Sequence, residues 1–207
     1  DEVQVLAAEE GAKRGAPTGR MPDRGIMPSA QALADAEALL LGAKRPVIIV
    51  GHGARFHMEA IIALAEELQC PILTTFKGKG LIADSHPLAG GVLGRSGTPI
   101  ASWFMNESDL LLVFGASFSN HTGIEPKKPI VQIDDDAEQL GRLHPVAVGV
   151  HGDAALTADA MLESVGENAW SSQEAEVAER WDAWRAEKAR RAAAAGDDGM
   201  SSADVFA

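Results

Sequence analysis

The sequence predicts an α/β fold, a doubly wound and mostly parallel sheet with helices on both faces. Three observations carry this. Short runs of consecutive apolar, often β-branched residues recur along the middle of the chain, as expected of strands buried on both faces. Segments of helical period separate several of these runs, which requires crossover connections and hence parallel pairing. Most runs close on glycine, aspartate or histidine, residues that turn a chain or carry chemistry at the end of a strand.

The elements follow in order. Residues 1 to 28 hold Gly11, Gly15, Pro17, Gly19, Pro22, Gly25 and Pro28 without period and read as a linker. Ser29 opens a helix whose apolar positions include Leu33, Leu39 and Leu40, with Gly42 as its stop. Val47-Ile48-Ile49-Val50 is the first buried strand, ended by Gly51-His52-Gly53. An amphipathic helix carrying Met58, Ile61, Ile62, Leu64, Ala65 and Leu68 comes next. Pro71-Ile72-Leu73-Thr74-Thr75 reads as a second strand. The stretch from Phe76 to Gly97 holds six glycines and little period, and reads as a long irregular crossover. A helix over Pro99 to Met105 precedes the third strand, Asp109 to Gly115. Pro129 to Asp134 and Val146 to Val150 are the fourth and fifth, with a helix over Thr157 to Val165 behind them. From Ser171 to Ala195 the pattern is one charged helix with Val177, Trp181, Trp184 and Lys188 on a stripe. It docks its tryptophans on a neighbouring element or binds a partner.

Composition narrows the function. A formal net charge of −12 repels a phosphate backbone, so nucleic acid is not an expected partner. One cysteine, Cys70, excludes a disulfide framework and a four-cysteine zinc site, and it reads as a buried structural thiol. No apolar run approaches the roughly 20 residues of a membrane span, and no signal-peptide pattern is visible, so a cytoplasmic location is expected. Asp1 stands where a methionine would open a chain, and Ser201 to Ala207 reads as a helix start cut short, which gives the expectation of a piece of a longer protein.

Ligands of doubly wound sheets lie beyond the carboxyl ends of the strands. After the first strand, Gly51-x-Gly53 lets backbone N–H groups approach an anion or merely joins strand to helix. Phe56 stands where a dinucleotide fingerprint has its third glycine, and Thr74-Thr75 replaces the acidic residue that holds an NAD ribose, so this is not a standard NAD site. After the third strand comes Gly115-Ala116-Ser117-Phe118-Ser119-Asn120. Asp134 and Asp153 follow later strands and either accept from ribose hydroxyls or cap helices; Asp135 and Asp136 read as solvated. The consecutive aspartates cannot all face one ion, the six histidines show no paired ligand spacing, and no Gly-x-Ser-x-Gly elbow is present. No metal site and no catalytic residue is assigned.

Six segments taken in register resemble one family. Lys44 to Ala54, then Pro71 to Thr75 with Gly78-Lys79-Gly80, then His86-Pro87-Leu88 with Gly91 and Gly94, are similar to the central domain of thiamine-diphosphate-dependent enzymes. Ser108 to Gly115, Val131 to Asp136 and Val150 to Ala154 continue the likeness in order. That group includes acetolactate synthase, pyruvate oxidase, and the benzoylformate and oxalyl-CoA decarboxylases. The resemblance covers about residues 30 to 165 and implies a six-stranded, Rossmann-like sheet of the DHS-like nucleotide-binding type.

The resemblance also implies an organisation and a role. Residues 1–28 become a linker from a pyrimidine-binding domain, 29–165 the central domain, 166–199 a linker with the charged helix, and 200–207 the start of a diphosphate-binding domain. The flanking domains would be partners in the same chain, and the parent a homo-oligomer acting as a 2-oxo acid decarboxylase, carboligase or oxidase. Thiamine diphosphate, the electron sink of that chemistry, and Mg2+ would be bound by those other domains, so the segment alone would be inert. Carried over residue by residue, Gly51, His52 and Gly53 would face a diphosphate or ribityl region. Thr75, Phe76, Lys77, Leu93, Gly94, Arg95, Ser96 and Gly97 would lie along a flavin. Gly115, Ala116 and Ser117 would meet the diphosphate, and Asp134, Asp135, Asp153 and Ala154 the adenosine. FAD-binding relatives usually carry arginine where this chain has Ser117, and Asp-Asp where it has Ser119-Asn120. FAD, ADP and a scaffold with no nucleotide stay open at this point. So do a free-standing nucleotide-binding module of the sirtuin-like or electron-transfer-flavoprotein sheet family and a purely structural domain.

Overall fold

The computed structural model describes residues 25–118, 122–125, 127–166 and 170–194. The first 24 residues, Ser119-Asn120-His121 and the stretch from 195 to 207 lie outside that set, together with what the sequence predicts for them. Ser29 caps α1 (Ala30–Gly42), its side chain accepting from the Ala32 N–H. β1 (Pro46–Val50) leads through a 3-10 turn, His52–Phe56, into α2 (Met58–Glu67). β2 (Ile72–Thr74) and β3 (Ala89–Val92) follow, then α3 (Pro99–Glu107), whose cap is Thr98. β4 (Leu110–Phe114), β5 (Ile130–Asp134) and β6 (Val148–His151) complete the sheet before α4 (Ala154–Val165) and α5 (Glu174–Ala194).

All strand pairs are parallel, in the order β3-β2-β1-β4-β5-β6, so the doubly wound sheet is present. Alternation within the apolar strands explains why they contain no polar face. Ile48, Val50, Ile72, Leu110, Leu112 and Phe114 pack with α1, α2 and α4 on one side of the sheet. Val47, Ile49, Leu73, Leu111 and Val113 pack with α3 and the start of α5 on the other. Among the described residues, no helix joins β4 to β5. Phe118 and Ile124 from that connection bury themselves on the second face and do a helix's covering work there.

One expectation is corrected. The stretch from Phe76 to Gly97 is not irregular throughout, because it contains the edge strand β3. Its sequence Ala-Gly-Gly-Val lacks the bulk by which a strand is recognised. The chain pays that composition to proximity: a Cβ on Gly90 would strike the Leu73 side chain, Gly91 sits at φ +84°, and the β2–β3 register shifts there. Gly51 closes β1, and His52 and Gly53 belong to the 3-10 turn that leads into α2.

The charged C-terminal helix is anchored. Gln173 donates through its backbone to Gln69 O and through Nε2 to Pro46 O, both at 3.0 Å. Val177 is buried, and Trp181 donates to the Ala89 carbonyl at 2.7 Å, covering a backbone acceptor of the edge strand. Glu176 accepts from Trp103 Nε1 and Arg45 Nη2, each at 2.8 Å, and Arg180 stacks 3.6 Å above the Trp103 ring. Burial opposes the charge on Glu176, but hydrogen bonds from Arg45 and Trp103 and the two arginine charges outweigh it, holding the carboxyl below its ordinary value.

A pH dependence follows from that direction. A carboxyl whose folded pKa is depressed adds stability above its unfolded pKa and loses it as pH falls through the folded one. Glu176→Gln is therefore expected to destabilise the fold by about 1–2 kcal/mol at neutral pH. The difference from the native chain should shrink below pH 4.5, the ordinary value for glutamate. Urea unfolding followed by tryptophan fluorescence measures this, because Trp103, Trp181 and Trp184 all lie at the α5 contact.

Candidate functional site

The order in which the chain adds strands to the sheet reverses between β1 and β4, the switch point at which doubly wound folds bind ligands. The loops leaving these two strands touch through their backbones. Gly51 N–H donates to Phe114 O at 2.9 Å and Gly53 N–H to Gly115 O at 3.0 Å. A Cβ on Gly51 would lie 2.6 Å from that of Ala116, one on Gly53 would lie 2.7 Å from Gly115 Cα, and one on Gly115 would lie 2.6 Å from the Gly53 carbonyl carbon. Gly115 also adopts φ +59°. These glycines are required by loop-on-loop packing, and the Gly51 and Gly53 N–H groups are spent on it.

Above this junction lies a cleft of about 530 Å³. It is lined by Gly51 and His52 after β1, Thr75, Phe76 and Lys77 after β2, Arg95 and Ser96 after β3, Gly115 to Phe118 after β4, and Thr122. Lys77 and Arg95 are exposed and have no acidic partner among the described residues. Ser117 is exposed and makes no hydrogen bond to a described residue. Phe76 is half-exposed, a flat apolar surface at the rim. Two cations, a hydroxyl and an aromatic ring thus face one cavity, which suits an anion joined to a planar group.

The remaining sequence-predicted residues lie outside this lining. Gly53 belongs to the junction below. Gly94 and Gly97 shape the turn into α3, where Gly97 N–H donates to Gly94 O. Asp134 ends β5 with its carboxylate accepting from the Asp136 N–H at 3.0 Å. Burial, and then the charges of Asp135 and Asp136, push its pKa up against that hydrogen bond. Asp135 is exposed. Asp153 caps α4 through the Ala155 and Leu156 N–H groups at 2.8 and 3.0 Å and lies 3.6 Å from His57 Nε2, while Ala154 is the buried first residue of that helix. Phe118 and Thr122 line the cleft without having been singled out. Phe118 carried a signal only as the aromatic after Gly115-Ala116-Ser117, and Thr122 carried none.

Other chemistry is absent from the described residues. No group of three or more histidine, cysteine or acidic side chains is placed to hold a metal ion, and no helix is long and apolar enough to cross a membrane. Burial pushes the Cys70 thiol up to about 12. Cys70 is therefore expected to resist thiol reagents in the native state and to react at the rate at which the core opens, which timed labelling across a denaturant series measures. Gly51→Ala is expected to destabilise the fold by about 3 kcal/mol or more, since both loops must part to admit the methyl. Chemical denaturation checks it.

Residues 33–161 match the family model described as thiamine pyrophosphate enzyme, central domain. Sulfoacetaldehyde acetyltransferase of Rhodobacter capsulatus is 35% identical over 164 residues, covering 74% of this chain and 28% of that protein. A protein named as a probable 2-ketoarginine decarboxylase of Pseudomonas aeruginosa is 34% identical over 175 residues, covering 82% and 31%. One named as a probable acetolactate synthase large subunit of Methanococcus aeolicus is 38% identical over 125 residues, covering 57% and 21%. The chain thus spans under a third of the length of these relatives. An X-ray structure from Mycobacterium smegmatis, described as a thiamin diphosphate-dependent enzyme, shares the fold with TM-score 0.56 at 22% identity, over 73% of this chain and 30% of that one. These matches favour the first sequence reading over a free-standing module. The chain belongs to the central-domain family of thiamine pyrophosphate enzymes.

Proposed function

We propose that this domain binds a nucleoside diphosphate, as ADP or as the ADP half of FAD, within a thiamine-diphosphate-dependent enzyme acting on a 2-oxo acid. The observation that carries the reading is the pair of unpartnered cations, Lys77 and Arg95, at a cleft on the switch point of the sheet. Lys77 Nζ and the Arg95 guanidinium would neutralise the diphosphate, and the Ser117 hydroxyl would donate to it. Phe76 offers a face for a planar ring. With serine in place of an arginine at 117, no third guanidinium shares the charge. Asp134, Asp135, Asp153 and Ala154 stand at the ends of β5 and β6, where an adenosine extending from the cleft would reach them. Asp153 would do so while still capping α4.

The residues from about 29 to 165 form the central domain in this reading, and the segments beyond join it to pyrimidine- and diphosphate-binding domains of a homo-oligomeric, cytoplasmic parent. Thiamine diphosphate would supply the electron sink for decarboxylation or carboligation. In this reading its Mg2+ would be held by the flanking domains. What this chain's own residues do is hold the nucleotide, wall off the cleft and fix the domain by its α5 contacts.

Thermal unfolding with added ADP and, separately, FAD tests the reading. A bound nucleotide at one hundred times its Kd stabilises by about 2.7 kcal/mol. Lys77→Ala and Arg95→Ala are each expected to weaken binding about tenfold by isothermal titration, with the unliganded stability nearly unchanged because both side chains are exposed. Absence of any shift with either nucleotide would leave the domain as a scaffold.

A further inference from the structure

Gln132 is a polar side chain in the middle of β5, 1% exposed, between Val131 and Ile133 in a strand otherwise apolar up to its terminal Asp134. Burying an amide is unfavourable unless its hydrogen bonds are remade inside the protein. Here they are. Nε2 donates to Ala116 O and to Gln139 O, both at 3.0 Å, and Oε1 accepts from the Gly141 N–H at 2.8 Å. Every partner is backbone, and the partners belong to two different loops. Ala116 lies in the cleft wall after β4, whereas Gln139 and Gly141 lie in the connection from β5 to β6.

The same two connections meet again on the outside. The Phe118 ring stands edge-on to His144 with centroids 5.9 Å apart. Phe118 is buried and held at φ +52°, a left-handed conformation that a bulky residue adopts only when its surroundings enforce it. A strained, ring-anchored residue therefore follows Ala116 and Ser117, and the amide of Gln132 grips the segment from beneath.

We propose that Gln132 is a positioning residue for the cleft: it clamps the Ala116–Phe118 wall to the Gln139–Gly141 loop and thereby sets where Ser117 presents its hydroxyl. This rests on the nucleotide reading of the cleft for its functional consequence, but the clamp itself can be measured without any nucleotide. Its logic is one of geometry. A leucine at 132 would pack as well in the sheet, yet it would leave the Ala116 carbonyl and the Gly141 N–H without their partner, Gln139 O with the Arg142 N–H alone at 3.4 Å, and, among the described residues, the Phe118–His144 contact as the remaining tie between the two loops.

The experiment compares the native chain with Gln132→Met, Gln132→Glu and His144→Ala, by hydrogen exchange of nucleotide-free protein and by ADP titration at a temperature where circular dichroism shows each variant folded. Gln132→Met removes all three bonds at similar volume, and exchange at the Gly141 amide is expected to accelerate about tenfold or more. Gln132→Glu keeps the acceptor for Gly141 but turns an oxygen toward the two carbonyls. It should therefore retain Gly141 protection while losing ADP affinity about tenfold, a split that a merely structural residue would not produce. His144→Ala, at a half-buried outer site, is expected to weaken ADP binding a few-fold with the sheet intact, and it decides the matter if the Gln132 variants do not fold. Unchanged Gly141 exchange in Gln132→Met, or native ADP affinity in all three variants, would overturn the proposal. If the native chain binds neither ADP nor FAD, the nucleotide reading fails, and Gly141 exchange alone then judges the clamp.

Discussion

The backbone contact between the loops that leave β1 and β4 is the constraint from which the rest of the site takes its shape. Adjacent parallel strands lie about 4.8 Å apart, so the chains leaving their carboxyl ends must diverge or be stripped of side chains. This chain strips them. Gly51, Gly53 and Gly115 interlock, with Gly53 N–H bonded to Gly115 O, and the floor of the cleft is therefore peptide rather than side chain. A peptide floor is thin, which leaves room above it for a ligand. The helices on both faces follow from the reversal of strand order, because β2 and β3 lie to one side of β1 and β4 to β6 to the other.

The walls above that floor need their own fixing, and the chain solves this with buried polar groups placed against backbone. Gln132 in the sheet satisfies carbonyls of the loops after β4 and β5. Gln173 at the root of α5 does the same for Pro46 at the start of β1, and Trp181 for Ala89 on the edge strand. Each spares an unpaired buried carbonyl, whose desolvation costs about 1–3 kcal/mol, so each is more valuable for what it prevents than for the bond it makes. Apolar packing supplies the bulk of the stability, but it does not distinguish one loop position from another. Directional hydrogen bonds do.

Legibility from sequence tracked how much of an element's reason is local. β1, β4 and β5 announce themselves because strands buried on both faces need unbroken apolar runs, and Ser29 and Thr98 cap helices by a rule that spans four residues. β3 was illegible because its glycines answer to Leu73 and Thr98, contacts the chain makes only once folded. The glycines after β1 were visible, yet their reason was not. A sequence offers a ligand's approach as the explanation, and the structure offers Gly115. Gln132 read as one polar letter in a strand, since nothing local marks the two loops that fold over its amide. Among the cleft residues, the resemblance named positions such as Thr75, Lys77 and Arg95 from motif order, whereas Thr122 arrives from a connection that carries no pattern at all.

Net charge gives the last step. A chain at −12 should repel a diphosphate, and at long range it does. Screening confines that repulsion, however, because the Debye length is about 8 Å at physiological ionic strength. Within that distance the local inventory decides, and at the cleft the described residues supply Lys77 and Arg95 and no carboxylate. Several cations elsewhere are taken: Arg45 by Glu176, Lys79 by Asp84, and Arg190 and Arg191 by Glu187. In a protein with 30 acidic residues and 18 lysines and arginines, two cations without an acidic partner among the described residues face this one cavity. An acidic surface with a basic cleft rejects polyanions by its whole field and admits a small anion that can reach the cleft. That combination is what the proposed nucleotide site requires, and the same physics disfavours a nucleic acid.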